Sequence, residues 1–113
     1  MALNIDIETI DLATVVHIVG DIDGSTAPEA QAKIMPMAKP DCKIAIDMGG
    51  VTYMSSAGLR LLLVIYRTIK GNGGEVVLVR LPDDLRDTME MTGFLDFFQY
   101  FDTLDAGLAA LAD

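Results

Sequence analysis

Two adjacent serines, Ser55 and Ser56, are the residues with the clearest potential for chemistry in this sequence. They lie between a short apolar run that ends at Asp47 and an apolar stretch with helical spacing that starts near Leu59. A serine at such a junction can cap the helix by accepting a hydrogen bond from a free backbone amide. It can also accept a phosphoryl group, because the amides and the dipole of a helix N-terminus tolerate an anion. Spacing alone leaves both interpretations of Ser56 open.

Phosphorylation of Ser56 would act through charge, since a phosphoserine carries about −1.5 to −2 charges at neutral pH. Asp47 ends the preceding predicted strand, and Asp21 and Asp23 lie in a loop at the end of a neighbouring one. A phosphate beside these carboxylates should repel a partner that accepts the neutral serine. Arg60, four residues on, is placed to reach back and moderate the effect.

The sequence lacks the residues that a zinc site, a phosphate-binding loop or a catalytic centre requires. His17 and Cys42 are the single histidine and cysteine, which makes a zinc site improbable. The phosphate-loop pattern Gly-x-x-x-x-Gly-Lys and the nucleophile elbow Gly-x-Ser-x-Gly do not occur. A Ser56–His17 pair has no orienting group, and His17 is interpreted as a partly buried strand residue. We therefore predict no catalytic residue, no metal and no cofactor.

Size and composition predict one globular domain over residues 1–113, with 51% hydrophobic and 22% charged residues. The net charge of −9 argues against direct binding to nucleic acid. No apolar run approaches the ~20 residues of a membrane span, so we expect no membrane insertion. The N-terminus lacks the pattern of a signal peptide, and the single Cys42 fits a reducing compartment. These features predict a cytoplasmic protein.

Hydrophobic periodicity predicts the elements around the serines. Apolar and polar residues alternate over 3–7, and a run of β-branched and apolar residues follows over 14–19. Together they predict an antiparallel hairpin that ends at Gly20. Thr26 and Glu29 form a capping box for a helix that runs to about Met35.

The second half of the chain alternates strands with helices. The predicted elements are a buried strand at 43–47, a loop at 48–55, a helix at 56–70, a strand at 75–79, a helix at 82–91, a short edge strand at 97–101 and a helix at 103–112. Five apolar residues form the expected core face of the 56–70 helix: Leu59, Leu62, Leu63, Tyr66 and Ile69. The order β-β-α-β-α-β-α-β-α predicts an α/β fold with a four- to five-stranded mixed sheet, an N-terminal β-hairpin and four helices.

The opposite side of the 56–70 helix is a candidate protein-binding face. Its members are Arg60, Leu61, Val64, Arg67 and Thr68. Apolar residues flanked by arginines suit an interface, where arginine is enriched. The alternative is that Leu61 and Val64 tuck under neighbouring loops.

The segment Asp47-Met-Gly-Gly-Val-Thr-Tyr-Met-Ser-Ser-Ala-Gly-Leu59 resembles the signature of STAS-domain anti-sigma factor antagonists. Gly20-Asp21-Ile22-Asp23 and Thr92-Gly93-Phe94 extend the resemblance over nearly the whole chain. The resemblance implies a single domain with the STAS fold. Many members carry aspartate before the phosphorylated serine, where this sequence has Ser55.

The family resemblance also implies a partner-switching mechanism. The unphosphorylated antagonist binds an anti-sigma factor that is a serine kinase, which releases the sigma factor. The kinase then phosphorylates the antagonist, and a PP2C-type phosphatase reverses this. The phosphorylated serine maps onto Ser56, with Ser55 as the rival, and Asp23 maps onto a loop acid near the partner. The predicted partner-binding set is Asp21, Asp23, Thr26, Asp47, Met54, Ser55, Ser56, Gly58, Leu59, Arg60, Leu61, Val64 and Arg67.

Two alternatives stay open at the level of the sequence. The same fold and motif suit a constitutive STAS subunit of a lipid-transport or stressosome-like complex, and neighbouring genes for a kinase or for transporter components would separate the two. The output can also be a regulator of secretion, motility or biofilm formation in place of a sigma factor. A small enzyme or nucleotide-binding protein is disfavoured by the missing motifs.

Overall fold

A computed structural model describes residues 3–112, which form a five-stranded mixed sheet and four α-helices in the order β-β-α-β-α-β-α-β-α. The strands are β1 Asn4–Ile10, β2 Ala13–Ile22, β3 Lys43–Met54, β4 Glu75–Val79 and β5 Gln99–Phe101. The α-helices are α1 Ala27–Ile34, α2 Ser56–Gly71, α3 Asp83–Met91 and α4 Leu104–Leu111, with short 3₁₀ helices at Met35–Met37 and Phe94–Phe97. The predicted fold class and element order are confirmed.

The five strands lie side by side in sequence order. β1 is antiparallel to β2, and the pairs β2–β3, β3–β4 and β4–β5 are parallel. Because Asp11 adopts a φ of 54° in the turn Asp11–Leu12, the hairpin closes within two residues. The first three helices are crossover connections between parallel strands, and their apolar faces pack on one face of the sheet.

Each face of the sheet carries its own core. The larger core joins Ile44 and Ile46 of β3 to Ile65 of α2 and Met89 of α3. The smaller one lies under α4, which covers only part of the opposite face. Its buried members are Ala13, Val15, Ala45, Val77, Val79 and Leu111.

Two strands extend further than predicted. β2 continues past Gly20 to Ile22, and β3 continues past Asp47 to Met54, so most of the predicted loop at 48–55 is strand. Two register shifts in the β2–β3 ladder put extra residues into β3 and break the alternation that signals a strand. Gly50 permits the close pairing, since a Cβ there would lie 2.7 Å from the Val19 Cγ2 atom.

The apolar face of α2 is wider than predicted. Leu59, Leu62 and Ile69 are buried as expected, whereas Leu63 and Tyr66 are half-buried. Leu61 and Ile65 are buried too, because α2 lies in the middle of the helix layer and contacts α1 on one flank and the 3₁₀ helix Phe94–Phe97 on the other. In β1, which is an edge strand, Ile7 remains 39% exposed despite its predicted place on a buried face.

A polar network crosses the sheet at Asp47. The Asp47 carboxylate is within 2.7 Å of His17 Nδ1, and it accepts hydrogen bonds from Arg80 Nε at 2.9 Å and from the Gly49 amide at 3.0 Å. The second ring nitrogen of His17 is 2.5 Å from a carboxylate oxygen of Glu8. The network therefore ties β1, β2, β3 and the end of β4 together, and it satisfies an aspartate that is only 6% exposed.

The network shifts the pKa of both central groups. Burial by itself lowers the pKa of His17, but the hydrogen bonds and charges of Asp47 and Glu8 outweigh it, so the pKa is raised above 6.5. Burial raises the pKa of Asp47, but the Gly49 amide, His17 and Arg80 outweigh it, so that pKa is lowered. Both shifts favour the ion pair over its neutral forms.

Among residues 3–112, no helix is long and apolar enough to cross a membrane.

The raised pKa of His17 predicts a pH-dependent contribution to stability. A group whose pKa is raised by folding stabilises the protein fully below its unfolded pKa, here 6.5, and the gain disappears as pH rises through the folded pKa. We expect the difference in free energy of unfolding between the unmodified protein and His17→Gln to shrink from about pH 5.5 to about pH 8.5 in urea titrations. A difference that stays constant over this range would contradict the assignment.

Candidate functional site

The junction of β3 with α2 holds both serines. Ser55 is the N-cap residue of α2, with extended backbone at φ −83° and ψ 179°, and Ser56 is the first helical residue. The Ser55 amide donates a hydrogen bond of 2.9 Å to the Ile22 carbonyl oxygen. This bond ties the start of α2 to the end of β2, so the loop that follows β2 is held beside the serines.

The two serines differ in accessibility. Ser56 is exposed at the helix start. The Ser55 Oγ atom is buried and, among residues 3–112, has no hydrogen-bond partner; it makes no capping bond to the helix. The first-turn amides of α2 are therefore left without a side-chain acceptor from the N-cap residue. The predicted choice of Ser56 over Ser55 remains a prediction at this point.

The loop after β2 is organised by Asp23. Its Oδ1 atom accepts from the Ser25 amide at 2.9 Å, from the Ser25 hydroxyl at 2.7 Å and from the Thr26 amide at 3.1 Å. These bonds, led by that from the Ser25 hydroxyl, lower the pKa of Asp23 below its ordinary value. The nearby Asp21 carboxylate accepts from the Thr52 hydroxyl at 2.5 Å. Asp23 thus lies in the loop as predicted, whereas Asp21, which was predicted in the same loop, lies near the end of β2 because that strand continues to Ile22. Hydrogen bonds hold both carboxylates near the helix start.

The predicted capping box at Thr26 is wrong. Thr26 is the N-cap residue of α1, but its side chain makes no capping bond to the helix. The Thr26 hydroxyl instead donates to the Asp21 carbonyl oxygen at 2.8 Å and accepts from the Asp23 amide at 2.9 Å. Thr26 therefore closes the loop on itself and keeps Asp21 and Asp23 in place.

The predicted docking face of α2 is only partly exposed. Arg60 and Arg67 are exposed and Val64 is half-buried, whereas Leu61 is only 4% exposed. Leu61 was predicted to face away from the core, and it is buried because α1 packs against that side of α2. An open groove of about 390 Å³ separates the two helices near the serines. Its lining residues are Gly24, Ala27, Pro28, Gln31, Ala57, Arg60, Leu61 and Val64.

Three other predicted contact residues are packing residues. Met54 and Leu59 are each 7% exposed, and Gly58 is buried. A Cβ on Gly58 would overlap Met54 Cγ and lie 2.9 Å from the Ile22 carbonyl oxygen. Gly58 thus allows α2 to approach the end of β2. Met54, Gly58 and Leu59 pack beneath the β3–α2 junction and are not part of the exposed surface around the serines.

Asp47 does not belong to this site. It lies in the middle of β3, opposite His17 on β2 and Val79 on β4. From Asp47 to the end of β3 at Met54 the strand spans roughly 20 Å at the usual rise per residue. The prediction that Asp47 is a charged neighbour of Ser56 is wrong, because β3 continues far beyond the point where its apolar run ends.

Some residues of this region escaped the sequence-based prediction. The α1 side of the groove, formed by Ala27 and Gln31, carries no motif, and only the tertiary packing brings it against α2. Arg80, which pairs with Asp47, has a φ of 56° that no local signal indicates. Within residues 3–112, no group of three or more His, Cys, Asp or Glu side chains is arranged to hold a metal ion.

Comparison with known proteins points to one family. The family model described as "STAS domain" matches residues 4–107. The anti-sigma-B factor antagonist of Bacillus subtilis is 30% identical over 96 residues, which cover 85% of this chain and 88% of the relative. A solved anti-sigma factor antagonist from Mycobacterium paratuberculosis has a TM-score of 0.85 at 30% identity and covers 99% of this chain and 96% of its own. The Bacillus cell fate determinant SpoIIAA in its phosphorylated form shares the fold, with a TM-score of 0.71 at 17% identity, over 95% of this chain and 98% of its own.

The packing at Gly58 predicts a loss of stability in Gly58→Ala. The added methyl group must displace Met54 or the Ile22 backbone, and such overpacking costs ~1–3 kcal/mol, offset in part by the better helix propensity of alanine. Gly71→Ala, at the last residue of the same helix with open space around it, is the matched control and should be neutral or slightly stabilising. Urea denaturation measures both, and equal stabilities would contradict the proposed contact.

Proposed function

Because this chain belongs to the STAS domain family, we propose that it is an anti-sigma factor antagonist switched by phosphorylation of Ser56. In its unphosphorylated form it binds an anti-sigma factor that is also a serine kinase, and this binding releases the sigma factor. A PP2C-type phosphatase regenerates the binding form. The protein itself acts by binding and not by catalysis, and its cognate kinase supplies ATP.

The observation that carries the proposal is the position of Ser56. An exposed hydroxyl on the first helical residue of α2 can enter a kinase active site, whereas the Ser55 oxygen is buried. In the transfer, Ser56 Oγ forms a bond to the γ-phosphorus of ATP as the bond to the bridging oxygen breaks. ADP leaves, and the hydroxyl proton passes to a base on the kinase.

The fold can accept the phosphate. The N-cap residue Ser55 leaves the first-turn amides of α2 free, and a helix N-terminus stabilises an anion through these amides and the helix dipole. Phosphoserine is therefore compatible with an intact helix. The switch acts at the surface and leaves the core unchanged.

The electrostatic effect of the phosphate rests on Asp21 and Asp23. Asp23 lies in the loop that the Ser55–Ile22 hydrogen bond holds beside the helix start, and Asp21 lies at the end of β2; the pKa of Asp23 is lowered by its hydrogen bonds. Adding almost two negative charges there should repel any acidic or electron-rich partner group that accepted the neutral serine. The exposed Arg60 offsets part of this charge.

The partner surface that we propose consists of Ser56, Asp21 at the end of β2, Asp23 in the loop after it, and the groove between α1 and α2. Arg60 and Val64 line this groove, and Arg67 lies further along the same helix. Arginine and half-buried apolar side chains are typical of interface cores. Met54, Gly58, Leu59 and Leu61 contribute by holding this surface in shape.

The first test is phosphorylation by the cognate kinase with ATP, mapped by mass spectrometry. Label should appear on Ser56 in the unmodified protein and in Ser55→Ala, which is the matched control for the adjacent hydroxyl. It should be absent from Ser56→Ala. Label on Ser56→Ala protein would overturn the site assignment, and stable copurification with a transport ATPase without any phosphorylation would favour a constitutive transporter subunit.

The second test separates charge from size at Ser56. Ser56→Asp should bind the kinase about tenfold or more weakly than Ser56→Asn, since the two side chains have the same shape and differ by one negative charge. Isothermal titration calorimetry of the kinase with each variant measures the difference. Equal affinities would contradict the electrostatic mechanism while leaving the phosphorylation site intact.

A further inference from the structure

Part of the sheet face opposite α1, α2 and α3 is not covered by α4. The strand register places residues on this face in rows across the strands. Val15, Ala45 and Val77 form a row under α4. The next row, Asp6, His17 and Asp47, lies outside the α4 core. Further towards the carboxyl ends of β2 and β3, Asn4 lies beside Val19, and Asp21 lies beside Tyr53. We call this uncovered region, consisting of Asn4, Asp6, Glu8, His17, Val19, Asp21 and Tyr53, the bare sheet face.

Two large apolar side chains are exposed on the bare sheet face. Val19 is 51% exposed and Tyr53 is 55% exposed. Their neighbours Ile18, Ile22 and Met54 point to the opposite face and are buried in the large core, so Val19 and Tyr53 project outward. An apolar pair on an otherwise polar sheet face is a candidate anchor point for a partner.

The bare sheet face carries more acidic than basic side chains. Asp6 and Glu8 are exposed on β1, and Asp21 is half-exposed at the end of β2. Asp47 is paired with Arg80, and His17 lies between Asp47 and Glu8. The acids exceed the bases, so the complementary partner surface carries arginine or lysine side chains around an apolar residue.

The bare sheet face is continuous with the proposed phosphorylation site. Tyr53 is three residues before Ser56, and the Ser55–Ile22 hydrogen bond fixes the two strand ends to each other. The Asp21 carboxylate, bonded to the Thr52 hydroxyl, stands at the border of the two surfaces. The side-chain hydrogen bonds of Glu8, His17 and Asp47 link the three strands across the rest of the face.

We propose that the bare sheet face is a second docking surface for the serine kinase that acts on Ser56, and that it receives a basic segment of that kinase. The inference rests on the proposed function and adds a prediction about the size of the kinase footprint. One part of the kinase contacts Ser56 and the groove between α1 and α2. The other crosses the end of the sheet, places an apolar side chain against Val19 and Tyr53, and directs basic groups to Asp6 and Glu8, away from Ser56.

The experiment measures the affinity of the cognate kinase for two surface variants by isothermal titration calorimetry. Tyr53→Ala should bind about tenfold or more weakly, as removal of an aromatic anchor does. Asp6→Lys should bind about fivefold more weakly, and its affinity should depend less on salt than that of the unmodified protein. Asp6 makes no hydrogen bond or ion pair within residues 3–112, so this variant gives a readout even if Tyr53→Ala fails to fold.

Matched controls lie far from the bare sheet face. Leu12→Ala removes an apolar side chain that is 91% exposed in the hairpin turn at the other end of the sheet, and Glu90→Lys reverses an exposed charge on α3. Both controls should bind within about twofold of the unmodified protein. Controls that weaken binding as much as the variants would overturn the inference, because the effect would then be one of general charge or folding.

Phosphorylation of Ser56 in the same samples separates this inference from the proposed function. If the kinase phosphorylates Ser56 while Tyr53→Ala and Asp6→Lys bind as the unmodified protein does, the second surface is overturned and the proposed function stands. If the kinase neither binds the unmodified protein nor phosphorylates Ser56, both are overturned.

Discussion

The parallel pairing of β2 with β3 is the constraint on which the rest of the site depends. It extends from Thr14 opposite Ile44 to Ile22 opposite Met54, and it ends with the Ser55 amide bonded to the Ile22 carbonyl oxygen. That last bond determines where α2 can begin. The helix then packs closely because Gly58 has no side chain to strike the same carbonyl group. The exposure of one serine and the burial of the other both follow from this arrangement.

The irregularities in that pairing shape both faces of the sheet. The four residues of β3 from Asp47 to Gly50 lie opposite the three residues of β2 from His17 to Val19, and a second extra residue enters before Tyr53. Because each insertion reverses the alternation of side chains, Met48, Val51 and Met54 all reach the large core despite their odd spacing. The same insertions send Tyr53 outward beside Asp21. The surface around the serines and the core beneath it are therefore consequences of one feature of the backbone.

Sequence patterns predicted the elements well where one rule governs a segment. The alternation in β1, the apolar run at 43–47 and the helical spacing after Ser56 each reflect a single periodicity, and the resemblance around Asp47 to Leu59 identified the fold. The segment 48–54 was predicted as a loop because two bulges remove its period. Leu61 was misplaced because the sequence does not indicate that α2 is covered on both flanks. Thr26 was misassigned because a hydroxyl can close a loop as readily as it can cap a helix.

The longer β3 also changes the account of how a phosphate would act. Asp47 lies roughly 20 Å along β3 from the end of the strand at Met54, and it is paired with Arg80 and His17. It therefore cannot contribute to repulsion at Ser56. The acids that remain, Asp21 and Asp23, are held by Thr52, Ser25 and Thr26 through hydrogen bonds that a rotation away from the phosphate would break. A flexible carboxylate would relieve the repulsion by turning into solvent, whereas a fixed one presents its charge to whatever approaches. Under the proposed function, the hydrogen bonds of this loop would convert phosphorylation of Ser56 into a change in the surface that a partner meets, and the first-turn amides of α2 would accommodate the phosphate within the same fold.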